Sequence, residues 1–116
     1  MSKLQPSSVT DNDDDLALVH ASKNGDITAF ERLVRRHDRK LLRIAQNVTS
    51  DFDDAQEVVQ EAFLKAYQRL DQFREVAHFS TWLVRITLNE CFMKMRKRRA
   101  DKQVLAEDCQ IPPLHP

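Results

Sequence analysis

Between Val9 and Ile111 the chain contains no proline, and its single glycine is Gly25; the four prolines (Pro6, Pro112, Pro113, Pro116) lie at the two ends. Proline removes a backbone donor and clashes with the preceding turn, so a stretch this long without it permits extended, uninterrupted helices. A sheet of many strands would need frequent tight turns, and the residues that make them are scarce here. At 116 residues the chain is sized for one domain. The expectation is an all-α fold: a compact bundle of three long helices plus one short N-terminal helix.

Apolar periodicity places the elements. Residues 1–12 are polar and read as a disordered lead-in. The helical domain spans residues 13–99, and residues 100–116 carry too few apolar positions for another packed element. The first, short helix starts near Asp13 to Asp15, whose carboxylates suit a helix N-terminus, and ends at Asn24-Gly25. The second starts at Thr28, which forms the T-x-x-E spacing of a capping box with Glu31. Its apolar stripe is Phe30, Leu33, Val34, His37, Leu41, Ile44, Ala45 and Val48. Asp51-Phe52-Asp53-Asp54 caps the third, whose stripe is Ala55, Val58, Val59, Ala62, Phe63, Ala66 and Leu70. Asp71 to Phe79 reads as a loop. Ser80 or Thr81 then caps a fourth helix from Trp82 to about Arg99, with Trp82, Ile86, Asn89 and Met93 on one face.

The bulk numbers exclude several classes. Hydrophobic residues are 41% and charged residues 31%, as in an ordinary soluble protein. No apolar run approaches the roughly 20 residues needed to span a bilayer, so no membrane insertion is expected. Cys91 and Cys109 stand apart, without a CxxC or a secretory signal. Neither a disulfide framework nor a zinc site is indicated, and a reducing cytoplasm is the simplest setting.

Formal charge sums to zero, from 18 basic and 18 acidic side chains, but the charges are segregated. Asp51 to Glu61 holds five acids and no base, whereas five of the six residues from Lys94 to Arg99 are basic. Such separation can create two faces of opposite potential, suited to two partners, or two plainly solvated helix faces.

Three constellations carry possible chemistry. Phe73, Phe79 and Trp82 lie close together, with Arg74, Arg85 and the basic run nearby. Single-stranded DNA binding needs positive charge along phosphates and π faces on which bases stack, at about 1–3 kcal/mol per base. Asn89, on the Trp82 face, could donate to and accept from a base edge. The competing reading buries each aromatic in the core. Glu57, Gln60 and Glu61 form an outward acidic face that suits a basic partner better than catalysis, because no nucleophile–base arrangement accompanies it. Glu75-Val76-Ala77-His78 has Glu-x-x-His spacing, but di-iron bundles need two such motifs and two further glutamates. No metal, no cofactor and no enzymatic activity are expected. His37, on an apolar stripe, reads as a core-edge histidine.

The run from Gln56 to Tyr67, then Leu70-Asp71-Gln72-Phe73-Arg74 and Phe79-Ser80-Thr81-Trp82-Leu83-Val84-Arg85-Ile86-Thr87-Leu88-Asn89, closely resembles region two of extracytoplasmic-function sigma factors, group IV of the sigma-70 family. Asn24-Gly25-Asp26, Ala29-Phe30 and Leu33 to His37 are similar to the same family's first helices. The likeness runs from about Asp15 to Arg99. It implies that the acid-rich helix docks on the β′ clamp of core RNA polymerase through Glu57, Gln60 and Glu61. It implies capture of a flipped base of the promoter minus-ten element on the non-template strand by Phe73 and Asn89, with Arg69 at the pocket. Arg74, Phe79, Trp82 and Arg85 would line the strand, and Lys94, Arg96, Lys97, Arg98 and Arg99 would grip phosphates. An anti-sigma factor is a further implied partner.

Two sites depart from the family pattern. Glu75-Val76 stands where members usually carry a Gly-Asp or similar small polar pair, which implies a stiffer loop. Arg69 replaces a residue that is often small. Nothing after Arg99 resembles the family's second, helix-turn-helix domain, so residues 100–116 read as a tail or the start of an interdomain linker. The rival readings are a helical interaction module or regulator that binds polymerase or an anti-sigma factor without melting DNA, and a carboxylate-bridged metal enzyme.

Overall fold

The computed structural model describes residues 8–108. Four helices account for most of them: α1 (Ser8–Lys23), α2 (Ile27–Thr49), α3 (Phe52–Gln68) and α4 (Phe79–Asp108). A 3₁₀ turn, Leu70–Gln72, precedes the loop into α4, and no strand occurs among the described residues. α2 packs against the other three helices, α3 packs on α4, and α1 also touches α4 and the 3₁₀ turn. The all-α bundle is the architecture that the periodicity predicts.

The connections are short because local chemistry ends each helix sharply. At the end of α1 the N–H of Asp26 reaches the Ala21 carbonyl at 3.0 Å, and that of Gly25 reaches Ser22 at 3.0 Å. This paired bonding requires a left-handed residue, supplied by Gly25 at φ +100°. Asp26 then caps α2 by accepting the Ala29 N–H at 3.2 Å. The cap is therefore not the expected Thr28, which falls inside the first turn; Asp26 is already extended (φ −83°, ψ 98°) and holds its carboxylate over the exposed N–H groups. Ser50, left-handed at φ 59°, closes α2, and Asp51 caps α3 through the Asp54 N–H at 2.9 Å, as the acidic turn predicts.

Every residue of the expected α3 stripe is buried. Ala55, Ala62 and Ala66 are small enough to let the neighbouring helices approach closely. Leu33, Leu41 and Ala45 of α2 and Leu83, Ile86 and Cys91 of α4 complete the core. Burial pushes the Cys91 thiol above its ordinary pKa, and the charge of Glu90 adds to that. Lys65 and Glu90 join α3 to α4 at 2.6 Å.

Three boundaries differ from the sequence reading. α1 starts at Ser8, so the upper part of the expected lead-in is helical. α4 starts at Phe79 rather than Trp82, because Asn12 of α1 reaches across and accepts the Phe79 N–H at 3.0 Å. α4 also runs past Arg99 to Asp108, through a segment with no proline or glycine to stop it. Residues 1–7, Cys109 and the remainder of the expected tail lie outside the described residues.

Candidate nucleic-acid interface and docking face

The loop from Phe73 to His78 carries the first group of site residues. Phe73 and Phe79 meet edge to face, with ring centroids 5.4 Å apart and planes at 90°. Trp82 lies 5.2 Å from Phe73 and 5.7 Å from Phe79, and His37 approaches Phe79 at 5.7 Å. Phe73 is 3% and Phe79 1% exposed. Both rings thus take the competing, core-buried position that the sequence allows, where a buried aromatic contributes most because neighbouring rings surround it. Trp82 is half-buried, and Arg69, Arg74, Arg85 and Asn89 remain exposed.

Trp82, Arg85, Asn89 and Arg96 recur at steps of three, four and seven, so they fall on one stripe of α4. Phe92, 49% exposed, lies on the same stripe. An aromatic face, two guanidinium groups and a carboxamide thus follow one another along a single outer edge. The carboxamide can read a base edge, the aromatic face can stack, and the guanidinium groups can hold phosphates.

The basic run itself divides. α3 and α4 pack antiparallel, which sets the acidic start of α3 beside the basic end of α4. Lys94 is hydrogen-bonded to Glu57, and Arg98 to Asp54, with Asp51 3.9 Å from the Arg98 guanidinium. The expectation of two separated charge faces is thereby corrected: part of each neutralises the other. The Lys94 hydrogen bond and charge hold the Glu57 carboxyl below its ordinary range, and Glu57 raises Lys94 in return. Arg96, Lys97 and Arg99 are exposed and form no ion pair among the described residues.

Glu57, Gln60 and Glu61 are all exposed on α3, but they border two grooves. Glu57 and Glu61 edge the α3–α4 groove with Met93 and Lys97. Gln60, with Gln56, edges the α2–α3 groove opposite Asp38 and Arg39. A partner that contacts all three straddles α3. Glu75 pairs with His20 of α1 at 2.7 Å, whereas His78 lies exposed at the start of α4. Among the described residues, no group of three His, Cys, Asp or Glu side chains is placed to hold a metal.

The sequence reading missed Asp15. Its carboxylate is 2% exposed and accepts from Arg36 Nε at 2.8 Å, and it lies 2.9 Å from His37 Nε2. Burial alone would raise its pKa, but the hydrogen bonds and charges of His37 and Arg36 together outweigh burial and hold it below the usual carboxylate value. The available signal was His37 itself, since an imidazole on an apolar stripe needs a buried partner.

A four-helix bundle with these surfaces has the form of a helical binding domain. A profile of sigma-70 region 2 matches residues 33–101, more than half of the chain, and the chain belongs to that family, in its extracytoplasmic-function branch. The RNA polymerase sigma-H factor of Pseudomonas aeruginosa is 38% identical over 100 residues, covering 84% of this chain and 52% of the relative. The ECF sigma-E factor of Escherichia coli is 43% identical over 75 residues, covering 65% and 39%. The chain spans about half the length of the curated relatives it matches. Among solved structures, an engineered region 2 of sigmaE in complex with GTAAAA superposes with a TM-score of 0.66 at 36% identity, over 85% of this chain and 97% of that one. CnrH in complex with the cytosolic domain of CnrY gives 0.66 at 35%, over 81% and 61%. Among the described residues no helix is long and apolar enough to cross a membrane.

Proposed function

We propose that this chain is a transcription-initiation binding module: it docks on the β′ clamp of core RNA polymerase and recognises and melts the promoter minus-ten element. It acts as a binding protein, not an enzyme, and its place of action is the cytoplasm, where the polymerase works. The observation that carries this reading is the outer stripe of α4. Trp82, Arg85, Asn89 and Arg96 follow one edge of a domain similar to a sigmaE region 2 that binds GTAAAA.

The division of labour follows from exposure. Asn89 contacts the captured base, Trp82 offers it a π face, and Arg69, Arg74 and Arg85 surround it. Phe73 and Phe79 act from beneath as the floor of the loop. Arg96, Lys97 and Arg99 follow the phosphates, joined by Lys94 and Arg98 when their acidic partners let go. Extracting a base costs a few kcal/mol, and a stacking contact with hydrogen-bonding groups offsets that cost. Glu57, Gln60 and Glu61 dock on the clamp. The likeness to CnrH bound to CnrY favours a second partner of the same bundle, an anti-sigma factor.

Fluorescence anisotropy of the 116-residue protein with labelled GTAAAA tests the reading. Binding should exceed that of a scrambled strand. Contact with about five phosphates gives a log–log salt slope near −3.5. Equal affinity for both strands, or none for either, overturns it. A β′ clamp fragment should be retained by the wild type and released by a Glu57→Lys, Glu61→Lys double variant.

A further inference from the structure

Three contacts run from α1 to the segment that enters α4. Lys23 Nζ donates to the Phe73 carbonyl at 3.4 Å, His20 Nε2 meets the Glu75 carboxylate at 2.7 Å, and Asn12 accepts the Phe79 N–H at 3.0 Å. They bracket the loop at its start, its middle and its end. α1 is in turn fixed to α2, because the buried Asp15 holds both Arg36 and His37. Beyond the buried Phe73 ring at its start and the Trp82 N–H bonded to the His78 carbonyl at its end, the loop has few contacts of its own. Its own backbone contributes the Ala77 N–H to the Arg74 carbonyl at 3.3 Å, and Val76 at its tip is 95% exposed.

Glu75 is the acidic member of this loop, between Arg74 and the exposed Val76. A carboxylate released beside a nucleic-acid strand repels phosphates within about a Debye length, roughly 10 Å in ordinary salt. A loop released from its strap also loses freedom on binding that a tethered loop has already given up. Both effects of losing the His20 contact therefore weaken strand binding.

We propose that α1 is a strap over the loop and that His20 is a positioning residue for strand recognition: by holding Glu75 toward α1, it fixes the loop that the captured base must fit. The inference rests on the strand-binding reading above. It concerns how the loop is held, not whether DNA binds.

The test uses labelled GTAAAA and its single-base variants, with the wild type, His20→Ala, His20→Gln, Glu75→Ala and the His20→Ala, Glu75→Ala double variant. Thermal melting is measured on each. His20→Ala should weaken GTAAAA binding about threefold to fivefold and flatten discrimination among the single-base variants. Its melting temperature should stay within about 4 °C of the wild type, because the pair lies at the surface. His20→Gln, which keeps a donor, should recover most of the loss. In the Glu75→Ala background His20→Ala should have no further effect. Wild-type affinity and base preference in His20→Ala overturn the proposal, as does an equal loss with Glu75 already removed. If the wild type binds neither GTAAAA nor its variants, the strand-binding reading falls as well.

Discussion

The ammonium of Lys94 on α4 is bonded to the carboxylate of Glu57 on α3, so one residue of the proposed phosphate grip occupies one residue of the proposed docking face. In the free protein the two surfaces partly silence each other. Glu57→Gln removes the carboxylate charge and leaves Lys94 available for a phosphate. Strand affinity should rise, and the log–log salt slope should steepen by about 0.7, the increment for one more single-strand phosphate. Anisotropy titrations across a range of salt concentrations measure it. Stability should barely change, because exposed pairs contribute little. An unaltered slope would show that Lys94 does not reach the strand.

Asp15 predicts a pH dependence of folding. Its pKa is held below the usual 3.8 in the folded state, by His37 and Arg36 working against burial. The stabilisation is therefore complete above the unfolded-state value and declines as pH falls from about 4 toward the folded-state value. Asp15→Asn keeps the shape and removes the charge. It should destabilise the wild-type fold at neutral pH by about 2–4 kcal/mol, since Arg36 and His37 lose a buried partner. The gap should narrow in strong acid, where the wild-type carboxyl is protonated too. Urea melts at a series of pH values from neutral to strongly acidic measure both arms; a gap that does not narrow contradicts the assignment.

The cap of α2 gives a paired comparison. Asp26→Ala removes the acceptor for the Ala29 N–H and should cost about 1 kcal/mol. Thr28→Ala leaves that bond in place and should be close to neutral. Equal losses in the two variants would restore the Thr28–Glu31 capping box that the sequence suggests.

The legible parts of this protein are those that local physics determines. The α3 stripe from Ala55 to Leu70 follows a helical repeat that leaves one buried face, and Asp51 caps α3 with its own side chain. Gly25 marks the end of α1 because the left-handed turn there suits no other residue as well. The parts that were not legible depend on distant partners. Asn12 caps a helix 67 positions away, Asp15 binds residues 21 and 22 positions downstream, and Lys94 finds Glu57 across 37. None of these leaves a periodic trace. The sequence also cannot separate an aromatic that stacks on a base from one that stacks on its neighbours, since both require the same residue at the same place. Phe73 and Phe79 resolve inward and Trp82 only partly so.

That inward turn separates two kinds of variant that sequence alone would group together. Asn89 is exposed on the stripe shared with Trp82 and Arg85, with no described hydrogen bond to lose. Asn89→Ala should keep the wild-type melting temperature to within about 2 °C, as surface changes do. Its GTAAAA affinity should fall about fivefold to thirtyfold, the range expected when one base-edge contact of about 1–2 kcal/mol is lost. Phe79 is 1% exposed and packs against Phe73, Trp82 and His37. Phe79→Ala should cost about 3–5 kcal/mol, a large share of the roughly 5–15 kcal/mol that holds a domain together. At about 4 °C or more per kcal/mol, its melting temperature should fall by at least about 12 °C. Both variants lose strand binding, the first with the fold intact and the second because the loop has lost its floor. Circular dichroism melts beside anisotropy distinguish them. A Phe79→Ala protein that melts like the wild type yet fails to bind would return that ring to the interface.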